Sequence, residues 1–149
     1  MSDLPSVLRQ AELFEGLSQE ELQSIAALCQ ARTFQAGEII TTQGESGGEL
    51  FLVFQGFVEV TTSLPDSGEA PRTVVNLGPG QIVGEMSLVD RGPRSATLRA
   101  LTDGTLLQAL NREVFLNLCQ TNTHLGFIVM RNMAADLSFK LRHRMRTGR

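Results

Sequence analysis

Three textures of hydrophobic spacing follow one another along the chain. From Ser18 the order Ser-Gln-Glu-Glu matches a capping box, and Leu22, Ile25, Ala26 and Cys29 then recur three and four residues apart. A first helix is expected from there to near Cys29. Between Thr33 and Leu110 the pattern changes to short runs rich in Val, Ile, Leu, Thr and Phe, broken by turn signals about every ten residues. These signals are Ala36-Gly37, Gly44 to Gly48, Gln55-Gly56, Pro65-Asp66-Ser67-Gly68, Gly78-Pro79-Gly80, Gly92-Pro93 and Asp103-Gly104. Residues 38–42, 49–54, 57–62, 73–77, 95–101 and 105–110 read as strands. About eight short strands in one domain predict an antiparallel sandwich or jelly roll.

After Asn111 the helical spacing returns. Asn111 is placed to cap a segment with Val114, Phe115 and Leu118 on one side, and a longer helix, uninterrupted by proline, is expected over 123–146. Within it Phe127, Met130, Ala134, Leu137 and Leu141 form a stripe of about two heptads, which serves either as a coiled-coil seam or as a face packed on the barrel. The expected fold is α+β, mainly β: helices over about 6–30, an antiparallel β jelly roll or barrel over about 31–110, and helices over about 111–146, the last one long.

Composition narrows the class. The 149 residues, 42% hydrophobic and 19% charged, suffice for one ordinary domain with an apolar core, so a single domain over 1–149 is expected. Apolar runs such as 127–130 fall far short of the roughly 18 residues of a membrane span. The opening Met1-Ser2-Asp3-Leu4-Pro5 lacks the basic-then-apolar order of a secretory signal. A soluble, cytoplasmic protein is the expectation. Cys29 and Cys119 stand far apart with only His124 and His143 to join them, so two buried thiols and no metal site are expected. The net charge of −3 conceals an asymmetry, because Lys140, Arg142, Arg144, Arg146 and Arg149 place five cations and no acid in the last ten residues. The acidic remainder opposes nucleic-acid binding across the whole surface, and the tail cations suit the negative end of a helix dipole.

The most informative stretch runs from Gly78 to Leu98, between two expected strands, where nothing structural demands so many specific polar groups. Gly84 permits close backbone approach, and a short helical turn after it, through Met86 and Ser87, would point free N–H groups at an anion. Arg94 returns ten residues later at a strand start, able to set a forked guanidinium on phosphate oxygens, with the Ser95 hydroxyl as a further donor. Glu85 is poorly placed for an anion but suited to accept from a sugar hydroxyl. A phosphate clamp beside a hydroxyl acceptor describes a nucleotide site.

At this point the sequence resembles the cyclic nucleotide-binding domains of bacterial transcription activators, protein-kinase regulatory subunits and cyclic nucleotide-gated channels, from Leu13 to about Leu141. Leu13-Phe14, Leu17-Ser18 and Glu21-Leu22 resemble that family's opening helices; Phe34 to Ile40 and Gln43-Gly44-Glu45 resemble its first strands and turn. Gly56 to Val60 resembles its central hairpin, and Gly84 to Leu88 with Pro93 to Leu98 resembles its phosphate-binding cassette, here over about 84–97. The resemblance implies that Arg94 holds a cyclic phosphate, with Ser95, Ala96 and the backbone near Met86 and Ser87 completing the cradle. It implies Glu85 for the ribose 2′-hydroxyl and Val60 and Val74 for the base pocket. In such domains the long C-terminal helix closes over the base, and alignment of Met133-Ala134 with the activators' equivalent pair makes Asp136 or Lys140 the candidate base contact. Three positions depart from the family pattern: Val83 replaces a usual aromatic, Ser87 a common alanine and Gly48 a frequent acid.

Rival readings fare poorly. Gly44-Glu45-Ser46-Gly47-Gly48 satisfies the spacing of a nucleophile elbow but sits in an expected hairpin, with both histidines in the last helix. Gly78, Gly80 and Gly84 miss the dinucleotide fingerprint by one residue and precede no long helix. The chain ends at Arg149, before a helix-turn-helix could fit. The expectation is therefore no enzyme, no specific DNA binding and no bound cofactor. It is a stand-alone sensor of cyclic AMP, or of cyclic GMP, signalling through its last helix to a homodimer partner or a separate protein. The alternative of another class is an interaction module that keeps the fold and binds a protein or another phosphate ligand.

Overall fold

Asp3 accepts from the Ser6 amide at 2.9 Å and so caps α1 (Leu4–Arg9), with Pro5 in the first turn, where its missing N–H leaves no bond unmade. The computed structural model describes residues 3–63, 68 and 70–146, with side chains as far as His143. A 3-10 turn (Glu12–Phe14) leads to α2 (Gln19–Ala26), which carries the expected capping box: Ser18 Oγ accepts from the Glu21 amide at 3.1 Å, and Glu21 Oε1 accepts from the Ser18 amide at 3.0 Å. α2 stops short of Cys29. The amides of Leu28 and Cys29 donate three residues back, to Ile25 and Ala26, which tightens the last turn and releases the chain at Gln30 into a strand outside the expected runs.

Among the described residues eight strands follow: β1 (Gln30–Phe34), β2 (Ile39–Thr41), β3 (Glu49–Gln55), β4 (Val58–Thr62), β5 (Arg72–Leu77), β6 (Ile82–Val83), β7 (Thr97–Ala100) and β8 (Thr105–Asn111). They pair antiparallel in two four-stranded sheets, ordered β1-β8-β3-β6 and β2-β7-β4-β5. This is the jelly roll the turn spacing predicted. Pro65, Asp66 and Ser67 of one predicted turn lie outside the described residues, as do Arg149 and the side chains of Arg144 and Arg146.

β3 is the central wall because it is apolar on both faces. Leu50 and Leu52 pack into the cluster built with the helices, while Phe51 and Val53 point into the cluster between the sheets with Val58, Val60 and Leu98. Strand alternation thus serves two cores at once, which explains the continuous hydrophobic run in the sequence.

Asn111 Oδ1 accepts from the Val114 amide at 3.0 Å and caps α3 (Arg112–Thr121). Its packed side differs from expectation. Val114 is exposed, whereas Phe115 is fully buried, edge-on to Phe14 at 6.1 Å, with Leu118 and Cys119 beside it. In α4 (Thr123–Arg146) the buried face is Leu125, Ile128, Val129 and Met133. The expected stripe is rotated off that face: Met130 is half-buried, Ala134 is exposed, and Phe127, Leu137 and Leu141 are 63%, 39% and 60% exposed. Of that stripe Met130 packs against the cluster shared by the helices and β3, and the rest is left exposed.

Both cysteines are free and half-buried; burial pushes the Cys29 thiol up to about 11 and raises that of Cys119. Among the described residues no cluster of metal-ligating side chains forms, and no helix is long and apolar enough to cross a membrane.

α4 is tied to the N-terminal helices by polar contacts. Asn132 Nδ2 donates to the carbonyls of Leu13 and Glu15 at 2.9 and 2.8 Å, and His124 Nδ1 lies 2.8 Å from Glu21 Oε2. Burial raises the Glu21 pKa, but the bonds from the Ser18 amide and His124 outweigh it and hold the carboxyl below its ordinary value. A carboxyl with a lower pKa folded than unfolded binds fewer protons when folded. Its stabilisation is present above the unfolded pKa and is lost as pH falls through the folded one. Thermal melts from neutral pH to about pH 3 should show Glu21→Gln less stable than the native chain at neutral pH, with the gap closing through the carboxylate range. A gap constant with pH would remove Glu21 from this linkage.

Candidate functional site

Gly84 adopts a left-handed conformation with φ of +87° and opens a 3-10 turn over Glu85–Leu88. A Cβ there would come 2.7 Å from Arg94 Nη1 and 3.1 Å from the Glu49 carbonyl, so glycine is required by both conformation and space. Ser87 Oγ donates to the Gly84 carbonyl at 2.8 Å, and the Arg112 Nε donates to the Ser87 carbonyl, fastening the turn to the start of α3. Opposite stands the 44–48 loop. The Arg94 amide donates to the Glu45 carbonyl at 2.7 Å, and the Arg94 carbonyl accepts from the Gly44 amide at 2.9 Å. Ser46 bridges Pro93. The loop therefore lies between two strands, with none of the strand-to-helix geometry of a nucleophile elbow.

These tethers hold the Arg94 side chain half-buried, with its Nε out of water. Its carbon lies 5.5 Å from the centroid of Phe51, and a Cβ on Gly47 would come 2.8 Å from its Nε. Burial lowers the Arg94 pKa, while Glu49 and, more weakly, Glu45 oppose that shift. The arginine lines a cavity of about 150 Å³ whose wall also includes Thr41, Gly47, Val83, Gly84, Met86, Ser87, Ser95, Ala96 and Leu98. Among the described residues, two buried side-chain polar atoms have no hydrogen-bond partner: Arg94 Nε and Thr41 Oγ1. Both belong to this wall. Buried polar atoms ordinarily have partners, so two orphans on one cavity point to a polar ligand.

Of the residues singled out from sequence, the fold brings Gly84, Met86, Ser87, Arg94, Ser95 and Ala96 together on that wall. Glu85 is half-buried beside it, in the same turn. Val60 belongs to the core between the sheets, one antiparallel pairing from Leu98 of the wall. Val74 is 61% exposed, because the β4–β5 register shifts between Val60 and Thr61 and leaves Val74 unpaired at the bulge. Asp136 and Lys140 pair with each other at 2.9 Å and are not part of the wall; the bond to Asp136 raises the Lys140 pKa, and Glu85 and Glu12 add to the rise. Sequence reasoning missed Thr41 and Gly47. Gly47 stood inside a recognised turn signal, but nothing in sequence showed that the turn would close on Arg94.

A jelly roll with a glycine-led turn facing a half-buried arginine whose Nε has no partner is a ligand-binding β-roll. The family model described as cyclic nucleotide-binding domain matches residues 31–122, and the chain belongs to that family. It is 38% identical to the cyclic AMP receptor protein of Thermus thermophilus over 135 residues, which is 91% of this chain and 59% of the relative. The crystal structure of the Thermus thermophilus catabolite activator protein superposes with a TM-score of 0.78 at 39% identity, covering 89% of this chain and 59% of that one. The regulatory domain of Toxoplasma gondii PKA, co-crystallised with cAMP, gives 0.69 at 29% identity, covering 76% of this chain and 42% of that one. The chain thus spans under two thirds of the length of each.

Gly84→Ala tests the cradle. The variant should lose about 1 kcal/mol or more of stability in urea denaturation, and a structure of it should show the guanidinium pushed away from Gly84. Native stability with Arg94 in place would mean that Gly84 does not shape the site.

Proposed function

We propose that this chain is a cyclic nucleotide sensor, with cyclic AMP as its ligand, acting by binding rather than catalysis and working in the cytoplasm. The observation that carries the reading is the half-buried Arg94 side chain, whose buried Nε has no partner, facing the turn opened by Gly84. A cyclic phosphodiester supplies the single negative charge that this arginine lacks. Ser95, Ala96 and the backbone at Met86 and Ser87 complete the phosphate cradle, and Glu85 accepts from the ribose 2′-hydroxyl. The base extends towards β4 and β5, where Val60 adjoins Leu98 of the wall and Val74 stands at the bulge. Asp136 and Lys140 were expected at the base; their mutual pairing and the nearness of Lys140 to Glu85 support a place at the ribose end instead.

Cyclic AMP is favoured over cyclic GMP by the names of the similar receptor and of the PKA co-crystal. The Ser95 hydroxyl on the cavity wall, a group able to bond the amino group of a syn guanine, is the feature that favours cyclic GMP. The output is α4. Its exposed stripe of Phe127, Leu137 and Leu141 suits a homodimer partner, or a separate downstream protein, whose access changes when the helix moves on binding. The domain is read as a single unit over 1–149. An interaction module that binds only a protein through that stripe is the second reading.

Calorimetric titration with cyclic AMP and cyclic GMP tests the ligand. Arg94→Ala should cost about 2–5 kcal/mol of binding, the range for losing one partner of a buried charge pair. Unchanged affinity would remove Arg94 from the phosphate, and binding of neither nucleotide by the native protein would favour the protein-only reading. Glu85→Ala should weaken cyclic AMP more than its 2′-deoxy analogue; equal losses would detach Glu85 from the ribose. Hydrogen exchange across 123–146 should change on binding, with sedimentation reporting any accompanying change in mass. Identical protection in the free and bound protein would refute α4 as the output.

A further inference from the structure

Among the described residues the Arg94 side chain has no ion-pair partner, although the Glu49 carboxylate lies near enough to act on its charge. Glu49 opens β3, and Phe51, whose ring underlies the guanidinium, follows two residues later. Side chains two apart on a strand leave from the same face, so Glu49 projects from the side of β3 that carries Arg94. The Glu49 carbonyl also forms part of the surface on which Gly84 is pressed, 3.1 Å from where a Cβ would sit. Of the charged groups around Arg94, Glu49 acts on it most strongly, ahead of Glu45. A carboxylate and a guanidinium within reach of each other ordinarily close into a forked pair. Here they do not, because both carboxylate oxygens are engaged elsewhere. Arg32 of β1 donates from Nη1 to Glu49 Oε1 at 2.7 Å and from Nη2 to Oε2 at 2.6 Å, reaching past β8, which separates the two strands in the sheet. The two side chains are 41% and 26% exposed, so the pair is partly shielded from water.

We infer that Arg32 is a positioning residue for the ligand site: by sequestering Glu49 it holds Arg94 free for an incoming anion. The inference rests on Arg94 as the phosphate-binding group. Its physical content is a competition between two anions for one cation. With Arg32 in place, the ligand meets an uncommitted guanidinium. Without it, Glu49 turns to Arg94, and a phosphodiester must first displace a carboxylate and then bind in the field of that displaced charge. The glycine at position 48 adds no acid of its own, so Glu49, which acts on Arg94 more strongly than Glu45, is the carboxylate that must be kept away.

Titration with cyclic AMP of the native protein, Arg32→Gln, Glu49→Gln and the double variant tests this. Arg32→Gln should bind about tenfold more weakly, as expected when coupled charges rearrange, and the double variant should return to within about threefold of native. Glu49→Gln alone should bind at least as tightly as native. A loss in Arg32→Gln that persists in the double variant, or any loss in Glu49→Gln, overturns the inference. Where the glutamine variant fails to fold, Arg32→Lys keeps the charge without the fork and should show a smaller loss, again relieved by Glu49→Gln. A ligand-free arm separates this inference from the nucleotide reading. Arg94→Gln should raise the melting temperature in the native background, where it removes a half-buried cation with no partner, and lower it in the Arg32→Gln background, where it breaks a newly formed pair. The same sign in both backgrounds overturns the sequestration. Opposite signs in a protein that binds no cyclic nucleotide uphold it and reject the nucleotide instead.

Discussion

A half-buried guanidinium whose Nε is held away from water without a partner is the constraint on which the rest of this structure depends. Left to itself such a group would rotate to solvent or draw in the nearest carboxylate. Three features prevent this. Gly47 and Gly84 leave space for the side chain that any Cβ would fill, Phe51 supports its face, and backbone bonds to the 44–48 loop hold Arg94 at both its amide and its carbonyl. The bidentate grip of Arg32 on Glu49 withdraws the competing acid. A site that forgoes an internal ion pair has exchanged stability for readiness to bind.

That exchange is sustained by the two apolar clusters on either side of β3. Phe51 and Val53 belong to the interior of the roll, Leu50 and Leu52 to the layer under the helices, so the strand beneath Arg94 is gripped from both faces. The turn at Glu85–Leu88 is likewise shared, with Leu88 in the helical cluster and the Ser87 carbonyl bonded by Arg112 at the head of α3. Movement at the cavity therefore has a short, packed path to the helices.

α4 is built unevenly along its length. Its first half is fixed by Leu125, Ile128, Val129 and Met133, by Asn132 on two carbonyls and by His124 against Glu21, and Gly126 passes so close to the Cys119 carbonyl that a Cβ would lie 2.4 Å from it. Beyond Met133 no described residue is fully buried. A helix anchored at one end and exposed at the other is suited to change its course when contacts near the cavity change, because few apolar contacts oppose the movement.

Much of this was legible because it rests on local rules. The capping box at Ser18, the cap at Asn111, the turn glycines and the strand runs of 49–54 and 105–110 are each decided by residues within a few positions of one another. The cassette could be read because Gly84 through Ala96 is nearly contiguous. What tertiary structure alone decided depends on distant pairings. The β4–β5 bulge turned Val74 outward, and no sequence pattern announces a register shift. The helical stripe in α4 was visible, but two offset stripes share that helix, and only packing selects which one is buried. Thr41, Arg32 and Glu49 came to the site through β2, β1 and β3, strands that lie in two different sheets. Their chemistry is written in the sequence, but their proximity is not, because antiparallel order in a jelly roll joins segments that chain distance keeps apart.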